Sequence, residues 1–288
     1  HKKRTLSFAQ EEEGQLMVDV TGRVNNRPID GASVSISYVG DPQDTLEQLT
    51  TDSNGMTEEI DLAAPPRSYS EYPLSDVQPY SEYNLIITAP GYEPTTISGS
   101  EIFSGELSIQ PVRLNPVLPN ASASVINIPA NTLWGVFPPK IPEDEIKPVR
   151  SSGEIVLSRV VIPEYVVVHD GVPSDSSATD YYVRYADYIK NVASSEIYST
   201  WPEATLRANI TAIMSFTLNR VYTEWYRNKG YDFTITTSTA YDHKWVYGRN
   251  IFDSISRIVD EIFASYVSRP NVKQPILTQY CDGKRVSC

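Results

Sequence analysis

The chain has 288 residues, of which 40% are hydrophobic, and a formal net charge of −12 at pH 7. This length suffices for two domains with separate cores. The acidity is concentrated in residues 1–150, which carry 10 Lys and Arg against 21 Asp and Glu, whereas residues 151–288 carry 14 against 15. Neither half of the sequence has the excess of basic residues that favours binding to nucleic acid. The sequence also has no run of 18 apolar residues that could span a membrane. We therefore expect neither a nucleic-acid partner nor a membrane span.

No signal peptide is visible at the start of the sequence, HKKRTLSFAQEEEG, which has basic residues but no apolar stretch. Either a signal has been removed, or the chain is used without one.

Residues 13–115 have the pattern of an all-β domain. Leu16, Val18 and Val20 alternate with polar residues, as expected of a half-buried strand. Turn sequences rich in Asn, Asp and Gly separate this run from the next one. Two further strands are predicted at 83–94 and 105–114.

Three segments of this region carry a family resemblance: GRVNNRPIDGASVSI, TDSNGMTEEIDL and ITAPGYEP. They resemble the carboxypeptidase-regulatory-like, transthyretin-like β-sandwich. The resemblance implies an accessory module that binds, spaces or packs and does no chemistry, with other cell-envelope proteins as candidate partners.

Residues 116–149 form the next segment, which is rich in proline and lacks a steady period. Proline restricts itself and its predecessor to extended shapes, so the segment is predicted to be a stiff linker. Trp134 and Phe137 are too apolar for a free linker. They are expected to anchor it on a domain surface or, alternatively, to serve as surface binding residues.

The remaining residues, 150–288, mix strand and helix patterns. Apolar residues recur at helical spacing up to Ala193 and again from Leu206, with Pro202 suited to a first helical turn. A third helix is predicted from Ile251 to Val267, capped by Asn250. Strands are predicted at 153–160, 163–170 and 231–248, with one more short strand at PILTQYCDG.

Glu196 lies in the break between the first two helices, with Trp201 beside it. Two interpretations are open from spacing alone. The carboxylate could complete the first-turn electrostatics of the second helix, or it could be a general acid on a rigid elbow.

The segments DYIKNVASSE at 187–196, WPEA at 201–204 and LRA at 206–208 resemble the stage II sporulation protein D (SpoIID/LytB) family. The resemblance implies an α+β domain that cleaves peptidoglycan glycan strands as a lytic transglycosylase, with Glu196 as the catalytic acid. It also implies a bacterial cell-envelope or extracellular location. The overall expectation is a multidomain protein: an N-terminal all-β sandwich, a linker and a C-terminal α+β SpoIID-like domain.

Substrate-binding residues are expected near Glu196, because sugar rings stack on aromatic faces and the chain has 19 tyrosines. Trp201 and Tyr241 are the first choices for the cleft. The complete predicted substrate-binding set is Trp201, Tyr198, Arg207, Tyr241, Asp242 and His243.

No cofactor is expected, although zinc has one candidate donor set. In the SpoIID-like family, the region matching Thr236–Gly248 carries metal-binding residues, but here it keeps His243 and has no cysteine. Cys281 and Cys288 could join His243 in a zinc site, close a small disulfide loop, or remain free thiols.

The family sequence normally continues beyond the region of Tyr280–Gly283 into a glycine-rich segment, whereas this chain stops at Cys288. The SpoIID-like domain is thus expected to be incomplete at its C-terminus. If the missing piece builds the cleft, the domain would bind glycan without cutting it. The alternative to the enzyme is therefore a non-catalytic cell-envelope or surface-assembly protein that binds peptidoglycan glycan.

Overall fold

A computed structural model of the chain describes residues 12–72, 75–119, 123–144 and 156–279. The chain divides into two compact units. Unit 1 holds the chain up to Pro129 together with Tyr198–Trp201 and Tyr247–Ser254. Unit 2 holds Ala130–Ile197, Pro202–Val246 and the chain from Ile255 onward. Two short segments of the predicted C-terminal domain thus belong to the N-terminal unit.

Two sheets make up unit 1. The strands of the first sheet are β1 (Glu12–Gly22), β4 (Ile60–Ala64), β7 (Leu107–Leu114) and β12 (Ile251–Phe252), in the order β12-β7-β1-β4. Those of the second are β2 (Ser33–Tyr38), β3 (Asp41–Thr50), β5 (Ser81–Thr88), β6 (Thr95–Ile102) and β8 (Ser124–Asn127), in the order β3-β2-β5-β6-β8. A short helix, α1 (Ser68–Glu71), follows β4.

One apolar core lies between these sheets. Leu16, Val18 and Val20 of β1 are fully buried, as are Leu85 of β5 and Ile97 of β6. Side chains on one face of each sheet enter this core because residues alternate across a strand. The arrangement is that of a β-sandwich, as the alternating pattern predicted.

A β-bulge in β6 brings the backbone of that strand close to Ile128, the residue after β8. The register between β5 and β6 shifts after Tyr83, and Gly99 has a φ of +95°. A Cβ atom at Gly99 would lie 2.5 Å from the carbonyl oxygen of Ile128. Glycine is required here both by the backbone conformation and by the close approach.

A buried polar cluster closes unit 1 at β12. The Arg249 guanidinium lies 2.8 Å from the Glu101 carboxylate, and both side chains are almost completely buried. Asn250 donates to the carbonyl of Glu101 and to Ser108 Oγ, and it accepts the Glu101 N–H. The predicted helix cap at Asn250 is therefore wrong, because this side chain pairs with strand backbone.

Unit 2 combines a three-stranded sheet with helices. Its strands are β9 (Tyr165–His169), β10 (Asp180–Arg184) and β11 (Ile235–Thr236), in the order β10-β9-β11. β10 pairs antiparallel and β11 parallel to β9. The helices are α2 (Tyr185–Glu196), α3 (Glu203–Tyr222) and α4 (Asp253–Glu261), of which α4 belongs to unit 2 from Ile255 onward, with a 3₁₀ turn at Arg227–Lys229. The buried residues of α3 include Leu206, Ile210, Ile213 and Leu218, as its period predicted.

Several predicted elements differ from those observed. The strand expected at 231–248 is reduced to β11, with turns and irregular backbone after it. The third helix is shorter than expected at both ends: Ile251–Phe252 pairs with β7 before α4 begins, and α4 ends at Glu261 instead of Val267. Residues 156–160 form no strand, and residues 151–155 lie outside the described residues.

The predicted linker is also not a simple spacer. Its residues Ser124–Asn127 form β8 in unit 1, and residues 130–144 belong to unit 2. Trp134 and Phe137 are half-buried. Within the described ranges, no helix has the length and apolar character needed to cross a membrane.

Candidate functional site

Glu196 is the last residue of α2 and is 5% exposed. The chain leaves the helix at Ile197 in an extended conformation, which produces the predicted elbow. Residues from the former linker hold this helix end, since the Thr132 N–H donates to the Ser195 carbonyl at 2.9 Å. On the other side of Glu196, Asn131 Nδ2 donates to the Ile197 carbonyl at 3.4 Å, so the backbone that carries the carboxyl group is held on both sides.

The loop at 241–246 lies against Glu196. Glu196 Oε1 accepts the backbone N–H of Lys244 at 2.6 Å. Asn191, more than one turn earlier in α2, pairs with both backbone groups of Val246: its Nδ2 donates to the carbonyl at 2.8 Å and its Oδ1 accepts the N–H at 2.9 Å. Two side chains of one helix therefore fix the loop at two points.

His243 projects from the same loop into a buried setting. Its Nδ1 lies 3.3 Å from the Tyr188 hydroxyl, and its ring centre is 4.4 Å from that of Phe216. Burial, with a smaller effect of the Lys140 and Arg220 charges, lowers the pKa of His243 well below 6.5. At neutral pH the imidazole is therefore uncharged.

Asp242 is the centre of a buried hydrogen-bond network. Its Oδ1 accepts Arg220 Nε at 2.6 Å. Its Oδ2 accepts the Tyr226 hydroxyl at 2.6 Å, and the N–H and hydroxyl of Thr236 at 2.9 and 2.6 Å. The side chain is completely buried. With four donors on two oxygens, this carboxylate is suited to holding the loop rather than to exchanging protons with a substrate.

Arg220 joins three segments of unit 2. Besides Asp242, it donates to Glu143 Oε1 at 2.6 Å and to the Tyr241 carbonyl at 3.0 Å. Burial alone would lower the pKa of Arg220, because it disfavours the charged form. The carboxylates of Asp242 and Glu143 stabilise the charge by more than burial costs, so the pKa of Arg220 is raised. The guanidinium remains charged although it is buried.

Lys140 brings a cation close to Asp242 and Glu196. Its ammonium donates to the Asp242 carbonyl and lies 5.9 Å from the ring centre of Phe216. Burial lowers the pKa of Lys140, whereas the negative charges of Glu196 and Asp242 oppose this shift. Lys140 and Glu196 are therefore close enough for their charges to interact.

The structure brings Glu196, Asp242 and His243 of the predicted set together in unit 2, with Tyr241 half-buried in the same loop. Tyr198 and Trp201 belong to unit 1. Tyr198 is 8% exposed and its ring centre is 5.4 Å from that of Phe103. The Trp201 indole N–H donates to the Ser70 carbonyl at 3.0 Å.

Arg207 lies on an exposed part of α3. It forms ion pairs with Glu203, at 2.8 Å, and with Glu261. The geometry thus gives Arg207 two carboxylate partners of its own, and its contact with a substrate stays a prediction.

Sequence reasoning missed Lys140, Glu143 and Arg220. Lys140 and Glu143 lie in the segment interpreted as a linker, where nothing in the local pattern marks them. Arg220 had a usable signal, since it follows Phe216 by four residues in α3 and so shares its face.

The donors present do not fit a zinc site. Within the described ranges, no three His, Cys, Asp or Glu side chains converge as a metal ion requires. Asp242, the neighbour of His243, already accepts four hydrogen bonds. Cys281 and Cys288 lie outside the described residues.

Comparison with known proteins gives limited likenesses. No family model matches the chain, and no curated protein matches it. Among solved structures, it is similar to the Bacillus anthracis TIE protein, with 17% identity and a TM-score of 0.25 over 37% of this chain and 17% of that one. The minor pilin GBS52 of Streptococcus agalactiae is 17% identical, with a TM-score of 0.26, over 40% of this chain and 49% of the pilin chain. The 5-hydroxyisourate hydrolase of Klebsiella pneumoniae is 19% identical, with a TM-score of 0.24, over 36% of this chain and 92% of the hydrolase chain. The chain spans less than half the length of the first two.

Proposed function

We propose that the C-terminal domain cleaves the glycan strands of peptidoglycan as a lytic transglycosylase, with Glu196 as the single general acid and base. The observation that carries the proposal is the setting of Glu196: a nearly buried carboxyl at a helix end, fixed by the Lys244 N–H at 2.6 Å. A carboxyl group held in one geometry is what proton transfer to a glycosidic oxygen requires.

The reaction needs one carboxyl group used twice. Protonated Glu196 gives its proton to the glycosidic oxygen as the bond to the sugar carbon breaks. The resulting carboxylate then takes the proton of the 6-hydroxyl of the same sugar, whose oxygen bonds to that carbon and closes a 1,6-anhydro ring. Because Oε1 accepts the Lys244 N–H, the transferred proton would be carried by Oε2.

The surroundings of Glu196 support a one-acid scheme over a two-carboxylate hydrolase. A hydrolase places a second carboxyl group about 5–9.5 Å from the first. Asp242 is the nearby acid of the loop, but both of its oxygens are engaged by Arg220, Tyr226 and Thr236. The charge of Lys140 would stabilise the carboxylate that Glu196 becomes once it has given its proton to the glycosidic oxygen.

The half-buried Tyr241 is the residue of this loop that we propose for sugar binding, and the buried, neutral His243 is proposed to position the loop through its contact with the Tyr188 hydroxyl. We also retain the cell envelope or the extracellular space as the proposed location. The β-sandwich is proposed to contact other envelope proteins.

The test is digestion of purified peptidoglycan glycan strands, with and without stem peptides, followed by mass spectrometry. We expect products that end in 1,6-anhydro sugar with the native chain and none with Glu196→Gln. Glu203→Gln is the matched control, because Glu203 lies on the same elbow but is exposed and paired with Arg207. Equal product from the native chain and Glu196→Gln would overturn the proposal.

The second candidate function is non-catalytic glycan binding. It is favoured by the same hydrogen bond, since Glu196 could serve only to fasten the loop through Lys244. This candidate predicts that the native chain co-sediments with glycan strands and releases no product. Glu196→Gln would then lower the melting temperature without changing any turnover.

A further inference from the structure

A cavity of about 230 Å³ opens in unit 2 near the C-terminal end of α3. Its walls come from three parts of the chain, residues 157–165, 220–227 and 233–234. Its size is below the roughly 300–1,000 Å³ of a site for a drug-sized molecule. It therefore suits a ligand of about one ring.

The cavity has an apolar wall with an accessible aromatic ring. Leu157, Val161 and Val221 line it together with Tyr165 and Trp225. Lys229 Nζ lies 3.2 Å from the centre of the Trp225 ring and so covers one of its faces. Tyr165 is 43% exposed, and Arg184 Cζ lies over its ring at 5.9 Å from the centre. The face of the Tyr165 ring away from Arg184 is the platform on which a ligand could stack.

A carboxylate and a guanidinium also line this cavity. Glu224 Oε2 and Arg227 Nε are 3.5 Å apart, at the long end for an ion pair. The Arg227 side chain is 57% exposed and that of Glu224 is 23% exposed. A ligand can therefore reach both charges.

The backbone of Glu224 is strained. Its φ is +45°, and it directly follows Thr223, the residue that caps α3. Glycine or asparagine is the usual residue at this position, because other side chains lose conformational free energy there. Strain of this kind concentrates at functional sites. The Glu224 side chain lining the cavity gives a reason for a glutamate where the fold alone favours glycine.

We infer that this cavity binds a single unit of a neutral saccharide, stacked on Tyr165 and hydrogen-bonded to Glu224 and Arg227. A sugar hydroxyl both donates and accepts, so one hydroxylated ring can satisfy the carboxylate and the guanidinium together. Glu224 and Arg227 carry opposite charges side by side, so a ligand charge of either sign is attracted by one and repelled by the other. The apolar face of a sugar ring matches the Tyr165 ring.

The saccharide site would be linked to the Glu196 region through Arg220. Arg220 is among the residues that line the cavity, and its fully buried guanidinium donates to Asp242 and Glu143. Saccharide binding does not require cleavage at Glu196, so it can be measured whether or not the chain has an activity.

The experiment is a titration of the full chain with methyl N-acetyl-β-glucosaminide and, separately, methyl β-glucoside, followed through the indole N–H signal of Trp225 in NMR spectra. Trp225→Phe assigns that signal. The variants are Glu224→Gly and Arg227→Gln, with Glu203→Gln as an exposed control. Melting temperatures are recorded for each variant.

We expect at least one glycoside to shift the Trp225 signal of the native chain saturably. Glu224→Gly should melt at the native temperature or above it, because strain is relieved, while its affinity falls at least about tenfold. Arg227→Gln should weaken binding as well, and Glu203→Gln should bind like the native chain. The inference is overturned if neither glycoside shifts the signal, if Glu224→Gly binds normally, or if it melts lower, since Glu224 would then serve the fold.

Discussion

Replacing Asp242 by asparagine should strongly destabilise unit 2. The change keeps the shape of the side chain but removes the charge that faces Arg220 at 2.6 Å, at a site with no solvent exposure. It also turns an amide N–H₂ toward the donors of Tyr226 and Thr236. Removing one partner of a buried ion pair costs about 3–5 kcal/mol, because the other charge stays buried without full compensation. The remaining partner, Glu143, compensates part of this loss.

The free energy of unfolding is measured by urea titration, and the melting temperature by calorimetry. A loss of about 3–5 kcal/mol corresponds to a fall of roughly 6–20 °C for a chain of this size class. Asp232→Asn is the matched control, because Asp232 lies in the segment before β11 and is exposed. If Asp242→Asn and Asp232→Asn melt at the same temperature, the network around Asp242 does not hold the loop.

Two further predictions concern pH and backbone conformation. Because burial keeps the His243 pKa well below 6.5, the unfolded chain binds a proton that the folded chain does not as pH falls below 6.5. The free energy of unfolding should then fall by up to about 1.4 kcal/mol for each unit by which the pH is lowered. His243→Gln should flatten this part of a plot of melting temperature against pH. If the slope is unchanged in His243→Gln, groups other than His243 cause the loss of stability at low pH. Gly99→Ala should destabilise unit 1 by more than about 1 kcal/mol in urea titration, because of the positive φ and the close Ile128 carbonyl. Gly40→Ala, where the added Cβ meets nothing within 4 Å, should leave stability nearly unchanged, and equal effects of the two would refute the strain at Gly99.

The strands that could be predicted are those with one face in the core. β1 and β2 alternate between buried and accessible residues, and the sequence shows that alternation directly. β3 could not be found in this way, since nearly all of its residues are exposed at the edge of the sheet. β12 is only two residues long and is continuous with the pattern of α4, so periodicity assigned it to the helix.

The candidate site shows the same limits. Helical period placed Glu196 at the end of α2, and the family resemblance pointed to the loop with Asp242 and His243. Neighbours in sequence were a poorer guide, because the elbow after Glu196 carries Tyr198 and Trp201 into unit 1. Lys140 could not be found at all, since its role depends on a contact with a residue about one hundred positions later in the chain.

The pairing of Glu101 with residues 249 and 250 limits how the β-sandwich can be produced. The partner of the Glu101 backbone lies 149 residues further along the chain, and the neighbouring Arg249 neutralises its buried carboxylate. During synthesis, the N-terminal strands emerge long before these residues, so the sandwich stays incomplete until most of the chain has been made. A fragment cut after the predicted linker would carry an uncompensated charge in its interior. Any separate preparation of the sandwich should therefore include residues 247–254, supplied through a linker or as a second chain.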